Sequence, residues 1–117
     1  MTTPSDSSVQ YNITDEQGFL VIHFAGEIDL HGSPHAREVI LDCINQQRNT
    51  VIDLSDITYI DSSGIASLVE GYQLAKNKQL EFGLINISKP ALSVLKLAHL
   101  DKVFPIHNSL SDRLQSS

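Results

Sequence analysis

Hydrophobic residues along the chain follow two alternating spacings, one typical of strands and one typical of helices. Residues 9–14 and 19–26 are rich in β-branched and aromatic residues, and a turn sequence that contains Gly18 joins them. Two such runs around a short glycine turn predict an antiparallel hairpin. In the second run both alternate sets of positions are apolar, which is typical of a strand buried on both faces. We therefore expect this strand to lie inside the sheet.

Helical spacing appears first after residue 32. Ser33 and Pro34 form a favourable cap and first-turn pair, and apolar residues then recur three and four positions apart. A second run with this spacing starts at or just after the serine pair at positions 62 and 63. Its apolar positions are Ile65, Leu68, Val69, Tyr72 and Ala75. The spacing predicts two helices, each following a strand.

The remaining segments continue this alternation of strand and helix. Residues 50–56 and 80–87 are predicted strands, and Ser88 caps a predicted helix. Residues 102–106 are a short predicted edge strand because they contain a proline, and a short last helix follows. Helices between strands imply right-handed crossovers and largely parallel pairing. The predicted fold class is α/β: a mixed four- to five-stranded sheet with an N-terminal β-hairpin and about four helices.

Length and composition indicate how the chain is divided into domains. The chain has 117 residues, of which 41% are hydrophobic and 19% charged, as in an ordinary globular protein of one domain. Residues 1–8 are mainly Ser, Thr, Pro and Asp, and they offer little to bury. We predict a disordered leader over residues 1–8 and a single domain over residues 9–117.

Charge and cysteine content exclude several functional classes. The formal net charge is −6, and the eight basic residues are spread along the chain, which argues against a nucleic-acid-binding surface. Cys43 is the only cysteine, so no internal disulfide can form, and a reducing compartment fits. No apolar run approaches the ~20 residues that span a bilayer, and the N-terminus lacks the pattern of a signal peptide. These features predict a cytoplasmic protein without membrane insertion.

The most informative chemistry lies at the start of the second predicted helix, in the run Asp61-Ser62-Ser63-Gly64. Asp and Ser are favoured N-cap residues, so capping alone explains their presence. A hydroxyl at a helix N-terminus can also carry a phosphate, since the exposed amides and the helix dipole favour an anion. With two serines, one can cap the helix while the other faces solvent. The residues alone leave open which hydroxyl does which.

Three segments resemble the STAS domain of bacterial anti-sigma factor antagonists. They are GEIDLHGSPHAREVI, VIDLSDITYIDSSGIASLVEGYQLAKNK and SKPALSVLKLAHLDKVFPIHNSLSDRL, and they cover most of the chain after residue 12. The resemblance implies the STAS fold and makes Ser62 the phosphoacceptor. It also implies that Glu27 and Asp29 form an acidic loop near that serine. Asp61, Ser63 and Gly64 are expected to complete the partner-binding surface, with Gly64 leaving room for a partner's backbone.

The same resemblance implies a partner-switching cycle. The unphosphorylated protein binds an anti-sigma factor with a histidine-kinase-like ATPase fold. That partner, or a related serine kinase, phosphorylates Ser62 and the complex dissociates, after which a metal-dependent serine phosphatase resets the protein. The chain is then a regulator without enzymatic activity, cofactor or metal. The alternative is a STAS subunit of a lipid-transport ABC complex or of a larger stress-signalling assembly.

Other chemistry receives little support from the sequence. His31 and His35 are four residues apart, but the predicted helix start separates them and no third metal ligand is evident. The serine pair lacks the Gly-x-Ser-x-Gly pattern of a hydrolase elbow, and no histidine is indicated as a base. No P-loop or Gly-x-Gly-x-x-Gly pattern indicates a strong nucleotide site.

Overall fold

Five strands and four helices alternate along the chain in a computed structural model that describes residues 9–115. The predicted leader lies outside the described residues. The strands are β1 (Val9–Glu16), β2 (Phe19–Ile28), β3 (Asn49–Ile60), β4 (Phe82–Ile85) and β5 (Ile106–His107). The helices are α1 (Ser33–Asn45), α2 (Ser62–Asn77), α3 (Lys89–Leu97) and α4 (Leu110–Gln115).

The first two strands form the predicted hairpin. β1 pairs with β2 in antiparallel register from Val9 opposite Gly26 to Glu16 opposite Phe19. The turn consists of Gln17 and Gly18, with φ angles of 54° and 88°. Two consecutive left-handed residues suit the twist of a tight hairpin, which explains the glycine. The hairpin prediction is confirmed.

All five strands form one mixed sheet in the order β1-β2-β3-β4-β5. Only the hairpin is antiparallel, because β2, β3, β4 and β5 pair in parallel. The predicted α/β class, with β2 inside the sheet, is confirmed. Parallel strands end at the same edge of a sheet, so the connections that follow β2, β3 and β4 lie at one edge. We call this the carboxyl edge.

The two faces of the sheet are covered unequally. The larger core lies on one face, where buried residues of α1, α2 and α3 pack against the strands. On the other face Phe19, Val21, Val51 and Ile85 form a smaller cluster, against which α4 packs Leu110 and Leu114. Since β2 contributes to both clusters, the prediction that it is buried on both sides is confirmed.

Three local predictions were wrong. The last strand, predicted over residues 102–106, is β5 at Ile106–His107, because residues 101–104 form a turn and only Ile106 and His107 pair with β4. β3 continues to Ile60, four residues beyond the predicted strand, because β2 supplies hydrogen-bonding partners as far as Ile28. Ser33 does not cap α1: it is buried as the first helical residue, and Gly32 occupies the cap position without a side-chain bond. The backbone carbonyl of Asp29 instead accepts from the N–H groups of Gly32 and Ser33 at 3.0 and 2.7 Å.

Candidate functional site

The start of α2 is held by the Asp61 carboxylate. Its Oδ1 atom accepts from the backbone N–H groups of Ser63 and Gly64 at 2.9 and 3.2 Å, which makes Asp61 the N-cap. The Ser63 hydroxyl donates to the same oxygen at 2.5 Å. These bonds, that of the Ser63 hydroxyl foremost, hold the pKa of Asp61 below its usual value against the opposing effects of burial and of the nearby Asp29 charge. Asp61 is therefore an ionised structural cap.

Ser62 differs from Ser63 in its exposure and in its hydrogen bonding. It is the first residue of α2 and is exposed to solvent. Within residues 9–115 its hydroxyl has no hydrogen-bond partner, whereas the Ser63 hydroxyl is bound to Asp61. The geometry therefore answers the question that the sequence left open: Ser63 supports the cap, and Ser62 presents a free hydroxyl at the positive end of a 16-residue helix.

Gly64 brings α2 close to the end of β2. A Cβ atom at this position would lie 2.5 Å from the Ile28 carbonyl oxygen and 2.6 Å from Cγ1 of Ile60. The Asp61 N–H donates to that same Ile28 carbonyl at 3.3 Å. Gly64 is buried, and this chain itself fills the space that a side chain would occupy, which accounts for the glycine. Its part in partner binding stays a prediction.

Glu27 and Asp29 lie at the carboxyl edge next to the start of α2. Glu27 is exposed and pairs with Tyr59 in the β2–β3 register, one step before Ile28 pairs with Ile60. The Asp29 carboxylate accepts from the backbone N–H groups of His31 and Gly32 at 3.0 and 2.9 Å, which fixes the loop between β2 and α1. The structure thus brings together the two segments that the resemblance grouped. Their role in binding a partner stays a prediction.

An open groove of about 430 Å³ runs between α1 and α2 beside this site. An ion pair between Arg37 Nε and Glu70 Oε1, 2.7 Å apart, connects the two helices across it. The pair is exposed, so it contributes little to stability. The groove is lined by Ser33, Pro34, Arg37, Glu38, Ser63, Ala66, Ser67 and Glu70.

The described part of the chain has neither a cluster of metal ligands nor a membrane-spanning helix. Among residues 9–115 no group of three His, Cys, Asp or Glu side chains is placed to hold a metal ion. The ring of His35 packs against Tyr11, with 5.3 Å between the ring centroids. In the same residues, no helix combines the length and the apolar character that a bilayer crossing requires.

Comparison with known families decides the class of the chain. The family model described as the STAS domain matches residues 10–113. The chain belongs to the STAS domain family. The predicted resemblance is confirmed at the level of the family and its fold, with the mixed sheet and the N-terminal hairpin in place.

Similar STAS proteins carry regulatory names. The chain is 25% identical over 104 residues to an anti-sigma F factor antagonist of Paenibacillus polymyxa, covering 87% of this chain and 89% of the relative. A solved anti-sigma factor antagonist from Mycobacterium paratuberculosis is 28% identical, with a TM-score of 0.80 and coverage of 99% and 97%. The Bacillus cell fate determinant SpoIIAA, solved in its phosphorylated form, shares the fold at 17% identity, a TM-score of 0.68 and coverage of 92% and 100%.

Proposed function

We propose that this STAS domain is an anti-sigma factor antagonist that phosphorylation of Ser62 switches off. With Ser62 unmodified, the chain binds an anti-sigma factor with a histidine-kinase-like ATPase fold. That partner, or a related serine kinase, transfers the γ-phosphoryl group of ATP to the Ser62 oxygen, which loses its proton, while ADP leaves. A metal-dependent serine phosphatase restores the hydroxyl by hydrolysis. The chain itself is a substrate and a regulator, and it supplies no catalytic group.

The observation that carries the proposal is the free hydroxyl of Ser62. A kinase needs an acceptor oxygen that it can reach, and Ser62 is exposed without an internal partner among the described residues. The neighbouring Ser63 is less exposed, and its hydroxyl is held by Asp61, so a kinase would have to break that bond to reorient it. The names of the similar antagonists support the same class of function.

The local structure also tolerates the modification. A phosphate on Ser62 adds a charge of roughly −2 at the N-terminus of α2, where the helix dipole favours an anion. The cap does not depend on this side chain, because Asp61 binds the N–H groups of Ser63 and Gly64. We therefore expect phosphorylation to leave the domain folded and to act on its surface.

Release of the partner follows from the cost of burying that charge. A dianion inside an interface loses its water, and an unpaired buried charge costs several kcal/mol. A loss of about 4 kcal/mol lowers an affinity roughly a thousandfold, which is enough for a switch. The repulsion between the phosphate and the nearby carboxylates of Asp29 and Asp61 stays within one molecule and does not oppose release.

The test is to incubate the purified chain with Mg²⁺, ATP and the histidine-kinase-like anti-sigma factor encoded in the same genome. We expect one phosphoryl group per chain, located on Ser62 by fragmentation mass spectrometry. The labelled chain should lose its partner in size-exclusion chromatography. Ser62→Ala should accept no label.

Ser63→Ala is the matched control, because it removes the adjacent hydroxyl and leaves Ser62 in place. It should still be labelled. Stoichiometric labelling of Ser62→Ala, or labelling confined to another residue of the wild-type chain, would overturn the assignment. Failure of the unmodified chain to bind the anti-sigma factor would overturn the proposed function itself.

A further inference from the structure

Two exposed apolar side chains lie at the carboxyl edge that also carries Ser62. Leu30, in the loop after β2, is 73% exposed, and Tyr59, near the end of β3, is 49% exposed. Within the described chain the other large hydrophobic residues that are exposed are Tyr11, Ile13, Leu97 and Val103. Single exposed apolar residues are common, but two beside a functional segment suggest an interaction surface.

Both side chains are presented by backbone that is fixed. Tyr59 lies in a strand and pairs with Glu27 of β2. Leu30 follows Asp29, whose carboxylate and carbonyl oxygens together accept from the backbone N–H groups of His31, Gly32 and Ser33. Ordering a flexible loop on binding costs free energy, and a loop that is already fixed avoids much of that cost. These two residues are therefore preorganised to contact a partner.

The charges around them indicate what kind of partner fits. The two connections of this edge that carry Leu30 and Ser62, residues 25–36 and 55–66, contain four carboxylates and neither lysine nor arginine. The third connection, after β4, adds one exposed cation, Lys89 at the start of α3. The first cation after the loop is Arg37, which is paired with Glu70. Two proteins usually bind through surfaces of opposite charge. The partner's surface should therefore carry basic side chains around its rim. Its centre must be apolar where it meets Leu30 and Tyr59.

We propose that Leu30 and Tyr59 are the two apolar anchors by which this domain binds its anti-sigma factor. They enter apolar sockets on the partner, and Lys or Arg side chains around the sockets face Glu27 and Asp29. This inference rests on the proposed function and names residues that the resemblance does not include. It also explains the strength of the switch, because Ser62 would adjoin the water-excluded centre of the interface, where a dianion is least tolerated.

The test measures binding of the same anti-sigma factor to Leu30→Ala and Tyr59→Ala by calorimetry. Central anchors typically carry much of the affinity of an interface, so each change should weaken binding by about 10-fold or more. Leu97→Ala and Val103→Ala are the matched controls. Leu97 is 82% exposed and is the last residue of α3, and Val103 is 47% exposed and follows that helix. Both lie away from the carboxyl edge, where α3 begins, and their variants should bind like wild type.

The kinetics of Ser62 phosphorylation give a second readout. The anchor variants should raise KM for the chain as a substrate and leave kcat unchanged, since the acceptor hydroxyl is intact. Circular dichroism should show that all four variants keep the wild-type fold and melting temperature, because these side chains are exposed. If wild type binds and the anchor variants match the controls in affinity and KM, the anchors are wrong and the proposed function stands. If wild type neither binds nor is labelled, both fail.

Discussion

Two helices start at the carboxyl edge with a serine, and they use it in opposite ways. At α3 the Ser88 hydroxyl is the cap: its oxygen accepts from the Ala91 N–H at 3.3 Å, and its O–H donates to the Ile57 carbonyl at 2.7 Å. At α2 an aspartate holds that position, so the exposed Ser62 hydroxyl has no hydrogen-bond partner among the described residues. The two sites follow neighbouring strands of one sheet, and they differ in which residue does the capping.

The choice of capping residue decides whether the serine at a helix start is available for phosphorylation. A phosphorylated Ser88 would lose the proton that it donates to Ile57 and disturb the contact between α3 and β3. A phosphorylated Ser62 breaks no bond of the described structure, because Asp61 carries the cap. Because Asp61 provides the cap, phosphorylation of Ser62 need not lower the stability of the fold. This difference between the two serines is what the following substitutions test.

The largest effect is expected at the serine that caps. Ser88→Ala removes the N-cap of α3 and leaves the Ile57 carbonyl without its hydroxyl donor. Each loss is typically worth about 1 kcal/mol, so the free energy of unfolding should fall by about 2 kcal/mol. Urea unfolding followed by circular dichroism measures it. Ser88→Asn keeps an N-cap acceptor and is the control, for which we expect a smaller loss. Equal stability of Ser88→Ala and wild type would contradict the comparison.

An intermediate effect is expected at Asp61. Asp61→Ala removes the acceptor for two backbone N–H groups and should lower the free energy of unfolding by about 1 kcal/mol at pH 7. The loss of stability caused by Asp61→Ala should be larger at neutral pH than at acidic pH. The pKa of Asp61 is lower in the folded chain than its ordinary value, so its ionised form stabilises the fold above about pH 4. That stabilisation is lost as the pH falls through the folded-state pKa.

The measurement is the difference in unfolding free energy between wild type and Asp61→Ala across this pH range. It should be constant from pH 7 to about pH 5 and decrease below that. Asp61→Asn is the matched control, since asparagine caps about as well as aspartate and does not titrate. The difference between Asp61→Asn and Asp61→Ala should stay flat with pH. A difference that grows on acidification would reverse the sign argued here.

Most of the fold could be predicted from the sequence because the signals were local. Gly18 marked the hairpin, continuous apolar runs marked interior strands, and Ser88 marked a helix start that the structure confirms. The start of α1 was predicted wrongly because Ser33 and Asp29 are both capable of bonding the first turn, and only the loop conformation decides between them. The last residues of β3 depend on pairing with β2, which no local pattern reports.

The candidate site was predictable in part. The motif at residues 61–64 indicated a helix start, but the division of work between its two hydroxyls needed the positions of the atoms. The packing of Gly64 against Ile28 joins residues far apart in the sequence, so no local pattern could predict this contact. Leu30 and Tyr59 were missed because an apolar residue near a strand end is normally buried, and only the three-dimensional structure shows exposure. The role of Ser62 as phosphoacceptor stays a prediction.

The smallest effect is expected at Ser62 itself. Ser62→Ala makes the same chemical change as Ser88→Ala, yet it removes no hydrogen bond of the described structure and exposes no buried group. Surface substitutions of this kind usually change the free energy of unfolding by less than about 0.5 kcal/mol. Alanine has a higher helix propensity than serine, so a slight increase in the free energy of unfolding would also agree with this expectation. Measured beside Ser88→Ala under identical urea conditions, a loss of 1 kcal/mol or more would mean that the Ser62 hydroxyl supports the fold. The hydroxyl would then not be free for modification.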